Sequence, residues 1–194
     1  MRLIRFRAPS PALLSEFVAE QAKQDLSYRE IGATRAELPT GYVHDRESAD
    51  LGPFDSATFD RAGTALTSWQ VQAGAGLTVF PGDPVAMGDT FALVIRLPVG
   101  AYAVAAGRVV FVQDEPGRRG FGYGTLPGHV EQGEEAFAVV RRGDRMYFEI
   151  TAFFRPRHPL ARAGKPVSRL LQRQTTSRYI DAMHAIVGHG AEQR

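Results

Sequence analysis

Between Leu77 and Phe154 the chain repeats one pattern: a short run of β-branched, aromatic and other apolar residues, then a break of turn-forming residues. The runs are Leu77 to Phe80, Thr90 to Leu97, Tyr102 to Val112, Arg118 to Thr125, Glu135 to Arg141 and Arg145 to Phe154. Breaks this short leave no room for crossover helices, so consecutive runs pair with reversed neighbours in an antiparallel meander. Asp114-Glu115-Pro116-Gly117 forms one turn, and Gly143-Asp144 suits a two-residue hairpin. Setting Arg142 opposite Arg145 puts Val139 against Phe148, Phe137 against Ile150 and Glu135 against Ala152 on one apolar face. Glu135 then ends a hydrophobic stripe. Ala138, Val140, Tyr147, Glu149 and Thr151 collect on the opposite, more mixed face.

The fourth run is GFGYGT. Alternation leaves Gly120, Gly122 and Gly124 as one bare face, with Phe121, Tyr123 and Thr125 on the other. Glycine adds no packing and loses more backbone entropy than other residues, so a bare face implies close approach by a crossing helix or a bound molecule. Leu126-Pro127-Gly128-His129 reads as a type II turn, with proline fixing one φ and glycine accepting a positive one. It projects His129 at the strand's end, ahead of Glu131, Glu134 and Glu135. A histidine among carboxylates suits acid–base work, because neighbouring charge moves its pKa across the neutral range. The competing reading is a solvated loop.

Helical signals flank the meander. Ser10-Pro11 starts a helix to about Gln24, with Leu14, Phe17, Val18 and Gln21 on one face. Tyr28 to Thr34 reads as a short strand, and Leu38 to Gly52 as a long loop. Asp55 or Ser56 caps a second helix carrying Phe59, Ala62, Leu66 and Trp69, with Phe54 and Phe59 as a staple across its start. A final helix runs from Pro166 to about Val187, stopped by Gly188 and about 33 Å long. Its apolar face includes Tyr179 and Met183 and is interrupted by Gln172, Gln174, Thr175 and Thr176. A helix patterned this way can line a wet cavity.

At 194 residues the chain suits one domain, 1–194, with 1–26 as an N-terminal helical extension. No apolar run approaches the ~20 residues of a membrane-spanning helix, and the start lacks the pattern of a secretory signal. A cytoplasmic protein is expected. The absence of cysteine removes disulfides, thiolate metal sites and thiol nucleophiles. Net charge is only +2, but Arg155 to Gln174 is basic with no acidic residue before Asp181. Arg162, Lys165, Arg169 and Arg173 follow helical spacing there, suiting either an anion-binding stripe or a solvated face.

The run GFGYGTLPGHVEQGEEAF, the preceding YREIGAT, the Trp69 region and the following FEITAFFRPRHPLARAGKPVSRLLQRQ resemble the bacterial and plant family called domain of unknown function nineteen-ninety. The similarity covers nearly the whole chain, and GFGYGTLPGH is its most specific signature. The resemblance implies the START and birch-pollen-allergen type superfamily. It therefore implies an α+β helix-grip fold: a strongly curved antiparallel sheet gripping a long C-terminal helix, with short helices before it. Members of that superfamily hold lipids, hormones, polyketides or other small molecules between sheet and helix.

The functional expectation is binding of a small, mostly apolar molecule in that cavity, contacted by Tyr123, His129, Glu135, Arg155 and Thr175. An alternative is a cyclase, dehydratase or hydrolase with Glu135 or His129 as general base and Tyr123 donating to a developing oxyanion. A third reading is anion or protein-partner binding through residues 155–173. No phosphate loop, dinucleotide fingerprint or nucleophile elbow is present, so no cofactor is expected. The sequence lacks metal-ligand spacing and nucleic-acid-binding motifs, so neither partner is expected.

Overall fold

The computed structural model describes residues 3–97, 100–157 and 165–188, with side chains excepted for 165–172. In chain order the elements are β1 (Ile4–Arg5), α1 (Pro11–Ala22), a 3-10 turn (Ala33–Arg35), β2 (Val43–Pro53), α2 (Ser56–Thr67) and α3 (Gln70–Gly74). Then come β3 (Leu77–Phe80), β4 (Thr90–Arg96), β5 (Tyr102–Glu115), β6 (Arg118–Thr125), β7 (Glu131–Arg142), β8 (Arg145–Pro156) and α4 (Lys165–Gly188). All the strand pairings are antiparallel, in the order β2-β8-β7-β6-β5-β4-β3, with β1 beside β5. Register shifts in β2 at Asp50/Gly52 and in β5 at Val109/Phe111 increase local twist and help the sheet curve.

The hairpin after β7 sets the face assignment for the whole sheet. Arg142 pairs with Arg145, and Val139, Phe137 and Glu135 stand opposite Phe148, Ile150 and Ala152, as the turn chemistry requires. The inner face, toward α4, carries the main core of Trp69, Phe91, Phe121, Phe137, Phe148, Tyr179 and Met183. Asp55 caps α2 by accepting from the Thr58 N–H at 2.8 Å, and the Phe54 and Phe59 rings meet at 5.9 Å across its start. Trp69 follows α2 with a positive φ of 60°, unusual for a bulky residue. It is held there by Phe91 and Phe121 at 4.8 and 4.9 Å, and its indole N–H donates to the Asp83 carbonyl at 2.9 Å. Gly74 lets α3 approach α4: a Cβ there would lie 2.8 Å from the Ala182 Cβ.

The outer face is covered by the N-terminal segment. Leu14 and Phe17 of α1 pack on Ala92, Val94, Val104, Ala106 and Leu126, while Tyr28 and Leu38 pack around Phe153. Two expectations are corrected here. Tyr28 to Thr34 is no strand but a looped segment leading into the 3-10 turn, folded around a buried carboxylate described below. Leu38 to Gly52 is not one long loop: Val43–Pro53 is the edge strand β2. Its polar sequence lacks the alternation of a half-buried strand because much of it lies exposed at the edge.

The glycine face of β6 is filled from within the fold rather than by a crossing helix. A Cβ at Gly122 would collide with the Phe111 ring, one at Gly124 with Tyr28, and one at Gly120 with the backbone of β7. Aromatic side chains and the neighbouring strand explain the bare face.

Candidate functional site

Glu134 and Glu135 are adjacent on β7, so alternation sends them to opposite faces. Glu134 goes outward beneath residues 28–35 and is 2% exposed. It accepts from the Tyr28 hydroxyl at 2.6 Å, from the Gly32 and Thr34 N–H groups at 2.7 and 3.0 Å, and from the Thr34 hydroxyl. Four donors satisfy both carboxylate oxygens and tie the N-terminal segment to the sheet. Burial raises the Tyr28 pKa, and the Glu134 charge adds to the effect. This hydroxyl therefore remains a donor.

Glu135 goes inward, where Tyr123 stands directly opposite it on β6 and donates a short hydrogen bond to Oε2. No hydrogen bond among the described residues reaches Oε1. Protein encloses the carboxyl, yet part of the side chain stays accessible. Burial pushes its pKa to about 7, opposed by the Tyr123 hydrogen bond and reinforced by Asp45. Asp45 lies in the same cross-strand row, Asp45–Ala152–Glu135–Tyr123. The intervening residue is an alanine, so little side-chain volume separates the two carboxyl positions.

α4 supplies the roof. Tyr179 is 3% exposed, and its ring meets Phe137 edge-on at 5.1 Å. Burial raises its pKa, with a further contribution from the nearby Glu135 charge. The Tyr179 hydroxyl makes no hydrogen bond among the described residues. Sequence reasoning placed Tyr179 only in the apolar face of the helix. Its spacing of four from Thr175 was the available signal, because residues one turn apart share a face. Thr175 is half-buried on that preceding turn.

The remaining sequence candidates occupy different places. The expected type II turn is corrected: His129 N–H bonds the Leu126 carbonyl at 3.0 Å, but Gly128 has no positive φ. Glycine is needed there for space, since a Cβ would lie 2.6 Å from the Phe17 ring and 2.8 Å from Gln21 Oε1. Gln21 accepts from the Gly128 N–H at 2.6 Å, so α1 clamps this turn. His129 Nδ1 lies 3.0 Å from the Glu131 N–H and 3.2 Å from the Glu131 carbonyl, so the ring is held by the backbone of its own turn. Burial lowers its pKa to about 4, with the Glu131 backbone opposing the shift. His129 is thus neutral at pH 7 and occupied within its own turn.

Arg155 lies on the outer face, its guanidinium 4.5 Å from the Tyr42 ring centre. In the orientation that satisfies its amide, Gln132 accepts from Arg155 Nη2 at 2.8 Å. Arg173 is exposed on α4, where Lys165 and Arg169 also lie, although their side chains are outside the described set. Arg162 lies outside the described residues. Among the described residues, no group of three or more His, Asp or Glu side chains is placed to hold a metal, and no helix is long and apolar enough to cross a membrane.

Chemically, the inner site combines an enclosed carboxyl that titrates near neutrality, one oxygen occupied by a phenol and one open, and a second phenol overhead. It can bind a polar group, or give and take a proton at Oε1. A separate cleft of about 450 Å³ lies between the start of α2 and the β5–β6 turn, lined by Phe54, Phe59, Asp60, Arg119 and Arg141 among others. Arg119 is paired there with Asp60 and Asp114 at 2.9 and 2.7 Å.

The chain is similar to solved structures of low sequence identity. A hypothetical protein from Helicobacter pylori aligns over 83% of this chain and 95% of its own, at TM-score 0.55 and 9% identity. Ara h 8.0201 aligns over 76% and 98%, at TM-score 0.50 and 10% identity. With the curved sheet and C-terminal helix, these likenesses show the helix-grip fold. Relatives by sequence include a UPF0548 protein of Deinococcus radiodurans, 32% identical over 89% of this chain and 93% of the relative. Another, from Dictyostelium discoideum, is 26% identical over 97% of this chain and 98% of its own. Residues 27–182 match the family described as "Domain of unknown function (DUF1990)", and the chain belongs to that family.

Proposed function

We propose that the protein binds a small, mostly apolar molecule between the inner face of the sheet and α4, with Glu135 and Tyr123 fixing its polar end. One observation carries the reading: Glu135 is enclosed and has a single hydrogen-bond donor, whereas its neighbour Glu134 has four. An enclosed carboxyl with an open oxygen suits a polar ligand group, and the aromatic inner face suits an apolar body. Thr175 belongs at the roof of the site, while Arg155 and His129 support the scaffold around it.

The test adds bulk beside Glu135, at Ala152 in the same cross-strand row, without touching the polar groups. Nile red, an uncharged dye, is expected to bind the wild-type protein with a blue-shifted emission and to lose that binding in Ala152→Phe. No binding to wild type, or equal binding to both, would remove the reading.

Proton transfer is a second reading, favoured by the near-neutral pKa of Glu135 and its open Oε1. Tyr123 holds Oε2, leaving Oε1 to exchange the proton with a bound carbonyl compound or alcohol. Proton–deuterium exchange at the α-carbon of a bound ketone, present in wild type and absent in Glu135→Gln, tests this reading. Equal exchange rates would exclude Glu135 as the acid–base group.

A further inference from the structure

The cleft at the start of α2 lies well away from Glu135. Arg141 helps to line it, and Arg141 and Glu135 face the same side of β7 about 20 Å apart along the strand. Backbone hydrogen bonds fix its walls. The Phe54 N–H ties the β2–α2 junction to the Asp144 carbonyl of the β7–β8 turn at 2.7 Å, and the Arg141 N–H ties the end of β7 to the Gly117 carbonyl of the β5–β6 turn at 2.8 Å. The space of about 450 Å³ is thus set by the fold, and it is large enough for a small molecule.

Two guanidinium groups line the cleft in different states. Arg119 is filled: Nη1 meets Asp60 at 2.9 Å and Nε meets Asp114 at 2.7 Å. Gly63 of α2 makes room for its stem, since a Cβ there would lie 2.7 Å from the Arg119 Cδ. Arg141 instead lies over Phe54, its guanidinium carbon 3.9 Å from the ring centre, and its Nε–H donates to the Gly143 carbonyl at 3.0 Å. Among the described residues no carboxylate pairs with Arg141, and no cation pairs with the exposed Glu115. Carboxylates outnumber guanidiniums in the lining, so a bare anion is opposed there.

We propose that this cleft binds a free amino acid with an aromatic side chain, its carboxylate on Arg141, its ammonium toward Glu115 and its ring against Phe54 and Phe59. A carboxylate matches the planar fork of a guanidinium, and stacking on Phe54 holds that fork in one plane. The ammonium answers the excess of carboxylates. A zwitterion adds no net charge, so it satisfies both unmatched groups together. Phe59 is buried and Phe54 half-buried, with ring centres 5.9 Å apart, which gives the ligand ring an aromatic wall.

The experiment follows backbone amide resonances of the whole chain while L-phenylalanine is added. Gly117 and Arg119 are expected to shift and Glu135 to stay in place. Hydrocinnamate lacks the ammonium, phenethylamine the carboxylate and L-alanine the ring, and each is expected to bind at least about tenfold more weakly. Arg141→Gln is expected to weaken L-phenylalanine about tenfold and Glu115→Gln about threefold, while Ala152→Phe leaves it unchanged. If Arg141→Gln also melts lower, Glu115→Gln decides, because it removes a charge that pairs with nothing in the fold.

Equal binding of hydrocinnamate, phenethylamine or L-alanine would overturn the proposal by making the ammonium, the carboxylate or the ring dispensable. Unchanged affinity in Arg141→Gln or Glu115→Gln would overturn it too. Shifts at Glu135, or loss of binding in Ala152→Phe, would move the amino acid to the other site. No shift at saturating L-phenylalanine removes this inference and leaves the reading of Glu135 standing.

Discussion

Glu134 and Glu135 are consecutive in sequence and both surrounded by protein, yet the two faces of the sheet treat them in opposite ways. On the outer face, Glu134 meets four donors and binds the looped N-terminal segment to β7. On the inner face, Glu135 meets one donor and shares its row with the Asp45 carboxylate. The same side chain has its hydrogen-bonding capacity filled on one face and half open on the other. The proposed function rests on this difference: a carboxyl whose partners fall short is a candidate for binding, and one fully satisfied is not.

The largest expected effect breaks the outer half of this contrast. Glu134→Ala leaves the Tyr28 and Thr34 hydroxyls and two backbone N–H groups without their acceptor, and is expected to cost about 3–5 kcal/mol in denaturant unfolding. A loss below 1 kcal/mol would show that the clamp is dispensable.

The inner half has the opposite sign. Because the folded-state pKa of Glu135 is raised, its contribution to stability is greatest below its unfolded value and is lost as pH rises from about 4.5 through about 7. The shift corresponds to at most about 3 kcal/mol, reduced by the residual exposure of the side chain. Glu135→Gln should therefore stabilise the protein at pH 8 by up to that amount, with little benefit near pH 4. Denaturant curves at the two pH values check the sign. An equal effect at both would contradict the pKa shift.

His129 sharpens the comparison from the other side. Its folded pKa is lowered, so its contribution is present above the unfolded value of 6.5 and is lost as pH falls toward about 4. The His129 and Glu135 slopes oppose each other between about pH 4.5 and 6.5, giving a near-flat wild-type contribution from this pair. Each substitution should unmask the other: Glu135→Gln should lose stability toward acid, and His129→Gln toward neutral pH. An effect of similar size is expected at Gly124, where a Cβ would collide with Tyr28. Gly124→Ala is expected to cost about 1–3 kcal/mol through overpacking, read as a lower melting temperature.

Most of the inner face was legible from local chemistry. Gly143-Asp144 set one hairpin register, and that register carried Glu135 to the end of the apolar stripe opposite Ala152; its pairing with Tyr123 depends on the separate β6–β7 register. The outer face was less legible because long-range contacts build it. Tyr28 to Thr34 has strand-like composition, but its N–H and hydroxyl groups bond Glu134 across about a hundred residues. β2 carries the polar sequence of an edge, so alternation could not separate it from a loop. Tyr179 reads as core from its helical spacing, and the structure places it there, against Phe137.

The central claim is that one carboxyl of this adjacent pair belongs to the fold and the other to a ligand. Carbon-13 NMR of the Glu134 and Glu135 side-chain carboxyls, recorded while Nile red is added at pH 7, tests it directly. The account predicts that the Glu135 resonance, with a ligand-free titration midpoint near 7, moves on binding while Glu134 stays in place. A Glu135 midpoint near 4.5, or a resonance unmoved by saturating dye, would contradict the account.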